Sequence, residues 1–249
     1  VMSISKDSKE QSEFREYCRS WLEENRPPPT EFPLPQAAYE VMTEDHRSYL
    51  VDWQARCYEA GLIATDVDKE YGGHGHDGFQ IIASNEVRKA GVPYFINWSG
   101  LGMAAPTLLI HGTEEQKQQF LPPIFSAEDI WCQGFSEPGA GSDLASLLTT
   151  AVPDGDRYLI NGQKIWTSDG HTSEWMFILV RTGVIEPKHE GISFFILNMN
   201  QPGVDTRPIQ LISGGSHFCE TFFDNAVADK RDMVGELNKG WKVNNKKCC

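Results

Sequence analysis

Hydrophobic residues at the start of the chain recur every three or four positions, which is the spacing of one helix face. Phe14, Cys18 and Leu22 form the first such stripe, and the three prolines at 27–29 prevent its continuation. A second stripe occupies residues 43–60, with a threonine as plausible N-cap at its start and a glycine just past its end. The pattern predicts two amphipathic helices.

The helical spacing continues to about residue 126. A glycine-rich stretch at 72–75 indicates a loop, and further helix candidates lie at 79–87 and 98–110. Thr113 and Gln116 have the spacing of a capping box, which opens a short helix expected to end near the two prolines at 122–123. This half of the chain is therefore predicted to be all-α.

After residue 128 the sequence changes to short β-branched and aromatic runs separated by turn residues. Asp154-Gly155 and Asn161-Gly162 are hairpin signals, and the second is expected to pair residues 158–160 with residues 164–166. Further strands are predicted, namely at 175–180, 192–197 and 218–223.

These patterns predict an α+β fold, with an N-terminal all-α helical domain followed by a compact antiparallel β-barrel-like domain. The expected boundaries are residues 1–129 for the helical domain, 130–238 for the middle β domain and 239–249 for the start of a C-terminal segment. Because residues 244–249 do not resemble the end of a packed element, we expect the chain to stop partway through a larger architecture.

The chain is acidic, with 22 Lys+Arg against 35 Asp+Glu and a formal net charge of −13. Such a field repels nucleic acid and anionic membrane surfaces, so neither is expected as a partner. A small anionic ligand stays possible, because backbone N–H groups at a turn or a helix start bind phosphate locally.

Cysteine usage and the first residues bear on the compartment. The six cysteines include no CxxC pair, which favours a reducing cytosol over a disulfide framework or a zinc ribbon. Residues 1–6 lack the cationic stretch followed by an apolar run that is typical of a leader peptide. No segment approaches the roughly 18 apolar residues that a membrane-spanning helix needs. His74 and His76 flank a glycine without a further clustered ligand, so a loop is favoured over a metal site. We expect a cytoplasmic protein with no metal.

Residues 134–143, which read GFSEPGAGSD, form the most informative local string. The string leaves a predicted strand and presents hydroxyl groups and free backbone N–H groups, which suits an electron-rich ligand edge or a phosphate. The alternative is a strand-ending turn whose serine and aspartate satisfy local backbone donors. Spacing alone does not decide between them.

The same string resembles the signature of the acyl-CoA dehydrogenase family, and residues 161–168, NGQKIWTS, are similar to its partner block. The likeness extends through residues 70–73, 110–117 and 234–241, so it covers nearly the whole chain. The resemblance implies the N-terminal helical and middle β domains of an FAD-dependent enzyme of lipid metabolism, with the C-terminal helical domain missing. The implied reaction is α,β-dehydrogenation of an acyl-CoA thioester.

By position in the first block, the resemblance implies that Gln133, Phe135 and Ser136 contact the pyrimidine side of the flavin. It also implies that Ser142 lies where coenzyme A and the flavin approach each other, and so binds both substrate and cofactor. Gly141 is implied to keep the backbone of this loop close to the flavin.

In the second block, the resemblance implies that Trp166 packs beside the isoalloxazine and that Ser168 hydrogen-bonds near flavin N5. An aromatic wall with one donor suits a flat, redox-active ring. The alternative for Trp166 taken by itself is a core tryptophan that follows a hairpin.

The catalytic base of the resembling family usually comes from the C-terminal helical domain, or from the helix after the Gly-Trp motif, and both positions lie beyond Cys249. No catalytic residue is assigned, and Glu86, Glu114, Glu137 and Glu220 are interpreted as helix-surface, cap or turn residues. The implied partners are an acyl-CoA substrate and an electron-transfer flavoprotein as acceptor, with dioxygen as the alternative, and a homo-oligomer if the chain is full length. The rival hypotheses are a non-catalytic flavin- and CoA-binding partner of a complete homologue, and a product that folds poorly without its helical cover.

Overall fold

The computed structural model of the protein describes residues 7–40 and 43–245, and in it most helices precede the sheet along the chain while one short helix follows it. Cys248 and Cys249, residues 1–6 and the last residues of the expected C-terminal segment lie outside the described part. The helices are α1 (Lys9–Glu24), α2 (Glu44–Glu59), α3 (Gln80–Ala90), a π-helical turn (Gly100–Ala104) that runs directly into α4 (Ala105–His111), α5 (Glu114–Ser126) and α6 (Gly240–Asn245). Short 3₁₀ turns occupy Ala38–Glu40, Lys69–Tyr71, Leu144–Ser146 and Lys230–Asp232.

The predicted helix starts are confirmed at the level of individual caps. The Thr43 hydroxyl accepts the backbone N–H of His46 at 3.3 Å. At α5 the capping box is complete, because the Thr113 hydroxyl accepts the Gln116 N–H at 3.2 Å and the Gln116 amide oxygen accepts the Thr113 N–H at 3.0 Å. Local side-chain chemistry therefore sets both starts.

The predicted end of α5 is wrong, because the helix continues through Pro122 and Pro123 to Ser126. The prolines remove backbone donors, but tertiary contacts compensate. The Gln54 amide donates to the carbonyls of Ile124 and Phe125, at 3.2 and 3.1 Å, inside the core. Packing and these bonds hold the last turn where propensity alone would end it.

Eight strands follow in the described part of the chain, and they form one mixed sheet. The strands are β1 (Trp131–Gly134), β2 (Thr150–Asp154), β3 (Arg157–Ser168), β4 (Trp175–Arg181), β5 (Ile192–Asn198), β6 (Val204–Ile209), β7 (Phe218–Asp229) and β8 (Met233–Val234). They lie in the order β6-β7-β3-β2-β4-β5-β8, with β1 paired to β4.

The expected α+β class is confirmed, but the expected antiparallel barrel is not. Both β1 and β2 pair with β4 in parallel, because the chain crosses over between them instead of turning back directly. In the described part of the chain, the end strands β6 and β8 do not pair with each other, so the sheet is open rather than closed.

The hairpin prediction at Asn161-Gly162 is also wrong. Both residues lie inside the long strand β3, where the register with β7 shifts between Ile160 and Gly162. Gly162 has φ +146°, and a Cβ there would approach the Thr149 side chain to 2.6 Å. The pair marks a β-bulge that glycine permits. The hairpin at Asp154-Gly155 is confirmed, since β2 and β3 pair antiparallel around it.

The helices and the sheet share one buried cluster. Trp53 and Leu108 from the helices belong to the same cluster as Phe177 and Phe194 from the strands. The division at residue 129 therefore remains a prediction. Among residues 7–40 and 43–245, no helix combines the length and apolar character needed to cross a bilayer.

A buried carboxylate joins α1 to α3. Glu86, interpreted from sequence as a helix-surface residue, is only 3 % exposed, which corrects that interpretation. It accepts from Arg15 at 2.8 Å, Arg19 at 2.7 Å and Lys89 at 3.0 Å. Burial tends to raise its pKa, but these three cations outweigh burial and lower the pKa of Glu86 from 4.5 to about 2.

Glu86→Gln should destabilise the fold at neutral pH by about 2 kcal/mol, because the three surrounding cations lose their counter-charge. The folded pKa lies below the unfolded one, so this contribution is present above pH 4.5 and is lost as pH falls towards 2. Urea unfolding at several pH values measures it. Glu13→Gln, in the exposed pair with Lys9, is the control and should change little. Equal stability of wild type and Glu86→Gln at pH 7 would contradict the prediction.

Candidate functional site

The first block leaves β1 at the contact between helices and sheet. Gln133 is half-buried, and its amide donates to the Met103 sulfur at 3.5 Å. The Phe135 ring points into the core, edge-to-face with Phe177 at 5.6 Å and Phe194 at 6.2 Å. The Phe135 ring is therefore packed in the core and is not available to a ligand.

Ser136 connects the two blocks. Its carbonyl accepts the backbone N–H of Ile165 at 2.9 Å, which places it directly beside the residue before Trp166. Within residues 7–40 and 43–245, neither the Ser136 hydroxyl nor its backbone N–H has a hydrogen-bonding partner. Two donors are thus free next to Trp166.

Trp166 is held in an unusual conformation. Its φ is +61°, in the left-handed region that bulky residues avoid, at an irregularity in the register between β3 and β7. Its side chain is 54 % exposed and meets the Phe218 ring edge-to-face at 6.0 Å. The alternative of a core tryptophan is therefore wrong. Strained backbone that presents an exposed aromatic ring is typical of ligand sites.

Ser168 lies two residues further along β3, opposite Phe218 in β7. Trp166 and Ser168 therefore share one neighbour, and together with Ser136 they form one surface region, which we call the β3 edge. In the described residues the Ser168 hydroxyl has no hydrogen-bonding partner.

Gly141 and Ser142 lie in an exposed loop. The loop is tied to Lys188 through Asp143, at 2.7 Å, and internally by the Ser146 hydroxyl, which donates to Asp143 at 2.6 Å. The structure thus brings Ser136, Trp166 and Ser168 together and places the Ser142 loop next to the Lys188 segment. A Cβ on Gly141 would meet nothing within 4 Å, so there is open space beside this backbone.

Sequence reasoning missed Lys164, which is fully buried. Its ammonium donates to the Glu137 carboxylate at 2.8 Å and to the Phe135 carbonyl at 3.1 Å. Glu137 also accepts the backbone N–H groups of Leu148 at 2.7 Å and Thr149 at 2.9 Å. The signal in the sequence was the presence of acidic residues, Glu137 and Asp143, in the first block and of a single lysine in the second.

The environment of this pair shifts the pKa of both groups. Burial lowers the pKa of Lys164 to about 8, against the attraction of Glu137. Burial acts to raise the pKa of Glu137, but the charge and hydrogen bond of Lys164 outweigh it and hold that pKa below its usual value. Both groups are charged at neutral pH, and the pair holds the first block against the second.

Asp169, directly after Ser168, was also missed. It is 6 % exposed, and it accepts the indole N–H of Trp98 at 3.0 Å. Its backbone carbonyl accepts the Ser173 hydroxyl at 2.8 Å. Burial raises the pKa of Asp169 to about 7, although the bond from Trp98 opposes the rise. This carboxyl connects the helical half to the end of β3.

The histidines singled out in the sequence have ordinary contacts. The His74 ring nitrogen lies 3.0 Å from the Tyr58 carbonyl, and the His76 ring stacks on Phe79 with centroids 5.8 Å apart. In the part of the chain that the structure describes, no group of three or more His, Cys, Asp or Glu side chains is placed to hold a metal ion. Cys18, Cys57, Cys132 and Cys219 are buried free thiols.

Lys164→Met should destabilise the fold by about 3–5 kcal/mol, because it leaves Glu137 buried without its counter-charge. The double variant Lys164→Met/Glu137→Gln should recover part of that loss, since a neutral amide tolerates burial better than a lone carboxylate. The coupling free energy between Lys164 and Glu137 is measured by urea unfolding of the wild type, both single variants and the double variant. Lys188→Met, which breaks the exposed pair with Asp143, should change stability little. Additive effects of the two single changes would contradict the coupling.

Asp169→Asn should raise stability at pH 8 by about 3 kcal/mol and leave it unchanged near pH 4. The folded pKa lies above the unfolded one, so the wild type loses stability as pH rises from about 4 to about 7, and asparagine keeps the Trp98 bond without ionising. Chemical unfolding at several pH values in this range measures how the free energy of unfolding changes with pH. Asp52→Asn, at an exposed position, is the control. If the free energies of unfolding of wild type and Asp169→Asn differ by a constant amount across this pH range, titration of Asp169 is excluded as the cause of the difference.

Two family models match the chain. The model described as acyl-CoA dehydrogenase, N-terminal domain, matches residues 8–128, and the model described as acyl-CoA dehydrogenase, middle domain, matches residues 132–226. The chain is also 41 % identical over 238 residues to a protein named acyl-CoA dehydrogenase IpdE1 from Mycobacterium tuberculosis, which covers 93 % of this chain and 60 % of that protein.

Solved structures agree with these matches. The crystal structure of the ChsE4-ChsE5 complex from Mycobacterium tuberculosis superposes with a TM-score of 0.72 at 34 % identity, covering 97 % of this chain and 60 % of that one. A structure named Tcur3481-Tcur3483 steroid ACAD gives 0.75 at 32 % identity, covering 97 % and 61 %. The chain thus spans about 60 % of the length of these relatives. With both family models matched in order along its length, the chain belongs to the acyl-CoA dehydrogenase family.

Proposed function

We propose that this chain is the flavin-binding part of an FAD-dependent acyl-CoA dehydrogenase that forms an α,β double bond in an acyl-CoA thioester. The observation that carries the proposal is Trp166, an exposed ring on a strained backbone, with free donors on Ser136 and Ser168 on either side. These are the residues that the family resemblance assigns to the flavin. When bound, FAD supplies the ring that accepts hydride.

The residues of the β3 edge have complementary tasks in this proposal. Trp166 forms an apolar wall against one side of a flat ring and excludes water there. The Ser136 hydroxyl and backbone N–H, with the Phe135 and Gln133 backbone, donate to the electron-rich edge of the ring and stabilise negative charge on it. Ser168 donates near the atom that accepts hydride.

Ser142 and Gly141 are proposed to meet coenzyme A and the flavin from the neighbouring loop. The open space beside Gly141 and Gly139, where an added Cβ would meet nothing within 4 Å, leaves room for a ligand. Lys188, paired to Asp143 in the same loop, adds positive charge near an anionic ligand.

The proton at the α-carbon needs a carboxylate, and those considered from the sequence have partners in the structure. Glu137 pairs with Lys164, and Glu86 with three cations. Glu114 accepts from Tyr71 and Lys117, and Glu220 accepts from Gln163 at 3.1 Å. We therefore propose that a carboxylate outside residues 7–40 and 43–245 removes this proton.

The proposed substrate, electron acceptor and domain organisation rest on analogy with relatives. One similar structure is that of a steroid ACAD, which supports a steroid-derived acyl thioester as substrate. We propose an electron-transfer flavoprotein as the acceptor, a cytoplasmic location, and the division into a helical domain, residues 1–129, a middle domain, residues 130–238, and the start of a C-terminal segment, residues 239–249.

A second candidate function is a non-catalytic subunit that binds flavin or CoA beside a complete homologue. Two similar structures carry the paired names ChsE4-ChsE5 and Tcur3481-Tcur3483, which favours a heteromeric arrangement over a simple homo-oligomer.

Titration of the purified chain with FAD, followed by flavin absorbance and fluorescence, tests the flavin site. Trp166→Ala should weaken FAD binding by about tenfold or more, since base–aromatic and ring stacking contribute on the order of 1–3 kcal/mol. Val152→Ala, at an exposed position on β2, is the control. An unchanged affinity in Trp166→Ala would remove the β3 edge as the flavin site.

Bleaching of flavin absorbance on acyl-CoA addition separates the two functions. Bleaching is measured with the chain alone and again after mixing with a full-length relative. The mixture is also analysed by gel filtration. Co-elution and bleaching only in the mixture support the partner role. Bleaching by the chain alone contradicts the proposal that the base lies outside the described residues.

A further inference from the structure

Asp169 differs from the other buried carboxylates of the described residues because it has no countercharge. Glu86 and Glu137 are each paired with cations. Among residues 7–40 and 43–245, no side-chain nitrogen of Lys, Arg or His lies within 4 Å of the Asp169 carboxylate. The donor to this carboxylate is neutral, since it is the Trp98 indole N–H at 3.0 Å. Water therefore screens little of any charge that this buried carboxylate carries.

The backbone holds Asp169 in place at the end of β3. Its N–H donates to the His217 carbonyl at 3.1 Å, and its own carbonyl accepts the hydroxyl groups of Thr172 and Ser173. Its φ is +59°, in the left-handed region that aspartate tolerates better than most residues. A charge on this carboxyl is thus fixed one residue away from Ser168, the donor assigned to the part of the flavin that accepts hydride.

Titratable side chains surround Asp169 on the elements packed against it. They are Glu44 and Arg47 of α2, Cys132 of β1, His171 and Glu174 of the turn between β3 and β4, His217 and Cys219 at the start of β7, and Tyr39 of the first 3₁₀ turn. Arg47 donates to Glu174 at 2.6 Å, which engages its charge. Burial raises the pKa of both thiols and lowers the pKa of His171, so these three groups are neutral at pH 7.

A small cavity beside Asp169 connects its surroundings to the protein surface. The volume is about 70 Å³, which gives room for a few water molecules. Asp169 and Thr172 line the cavity from the sheet, and Thr43 and Glu44, both exposed, line it from the start of α2. Water in this cavity can carry a proton between the buried carboxyl and solvent.

We propose that Asp169 is a redox-linked proton site, which is ionised while the bound flavin is oxidised and protonated while the flavin is reduced. The inference rests on the proposed function, because it needs the flavin at the β3 edge. Reduction adds negative charge to the ring, and a second negative charge fixed nearby is unfavourable where water screens neither. The proton comes from solvent on reduction and returns to solvent when the acceptor flavoprotein removes the electrons, so charge and protons balance.

The resting environment of Asp169 makes this link effective near neutral pH. Burial raises the pKa of Asp169 to about 7, so the carboxyl changes its protonation there when a charge appears nearby. An exposed aspartate, with a pKa near 4, stays ionised in both redox states. By reciprocity, a protonated Asp169 favours the reduced ring and an ionised Asp169 favours the oxidised one.

The test counts the protons taken up when the FAD-loaded chain is reduced electrochemically through a viologen mediator, in weakly buffered solution with a pH indicator. Asp169→Asn should lower the uptake by about half a proton per flavin between pH 7 and 8, because the amide still accepts from Trp98 but does not titrate. Trp98→Phe removes the N–H that stabilises the ionised carboxylate, so the additional uptake should move to higher pH.

The matched control is Glu44→Gln, which changes an exposed carboxylate that lines the same cavity. It should leave the proton uptake unchanged, because water screens the charge of Glu44 in both redox states. Thermal melts confirm that each variant is folded.

The proton count and the affinity for FAD separate failure of this inference from failure of the proposed function. If FAD binds and its binding needs Trp166, but wild type and Asp169→Asn take up equal numbers of protons at every pH, the redox link is overturned and the proposed function stands. If Asp169→Asn lowers the uptake but Trp98→Phe does not move it to higher pH, the effect is structural and the link is again overturned. If the wild type binds no FAD, the proposed function falls and takes the redox link with it.

Discussion

The buried ion pair between Lys164 and Glu137 is the interaction on which the candidate site depends. Two charges in a sheet interior are costly unless each is paired and hydrogen-bonded. Here the remaining bonds go to backbone groups, namely the Phe135 carbonyl in the first block and the N–H groups of Leu148 and Thr149 that follow it. The pair therefore fixes the chain on either side of it: the Ser136 carbonyl meets the Ile165 N–H, and Trp166 follows directly. A site for a flat ring needs such fixed donors, since a shift of about 1 Å in a positioned group is already costly.

The helical half takes part in the site through aromatic contacts instead of charges. The ring of Tyr39 lies 6.2 Å from Trp98 and 6.3 Å from Phe218, and Phe218 meets Trp166 at 6.0 Å. The indole N–H of the same Trp98 donates to Asp169. The helical half and the end of β3 thus contact each other through one continuous set of aromatic side chains and the Trp98–Asp169 hydrogen bond.

Errors in the sequence prediction have one physical origin, which is that long-range packing overrode local preference. Asn161-Gly162 has the chemistry of a hairpin turn, yet pairing with β7 keeps β3 extended and leaves only a bulge. Pro122 and Pro123 end a helix in isolation, but burial and the Gln54 amide sustain α5. Glu86 looks like a surface residue because its partners Arg15 and Arg19 are about 70 positions away in the sequence.

The sequence by itself determined the helix starts, most strands, the α+β class and the family, because capping, periodicity and ordered motifs are local properties that survive without coordinates. It also placed Ser136, Trp166 and Ser168 in two motifs. Only the tertiary structure decided that these motifs meet at one edge and that Lys164 and Asp169 are buried there. The reason is that proximity, burial and the pKa changes they cause arise between residues far apart in the chain, where no local pattern records them.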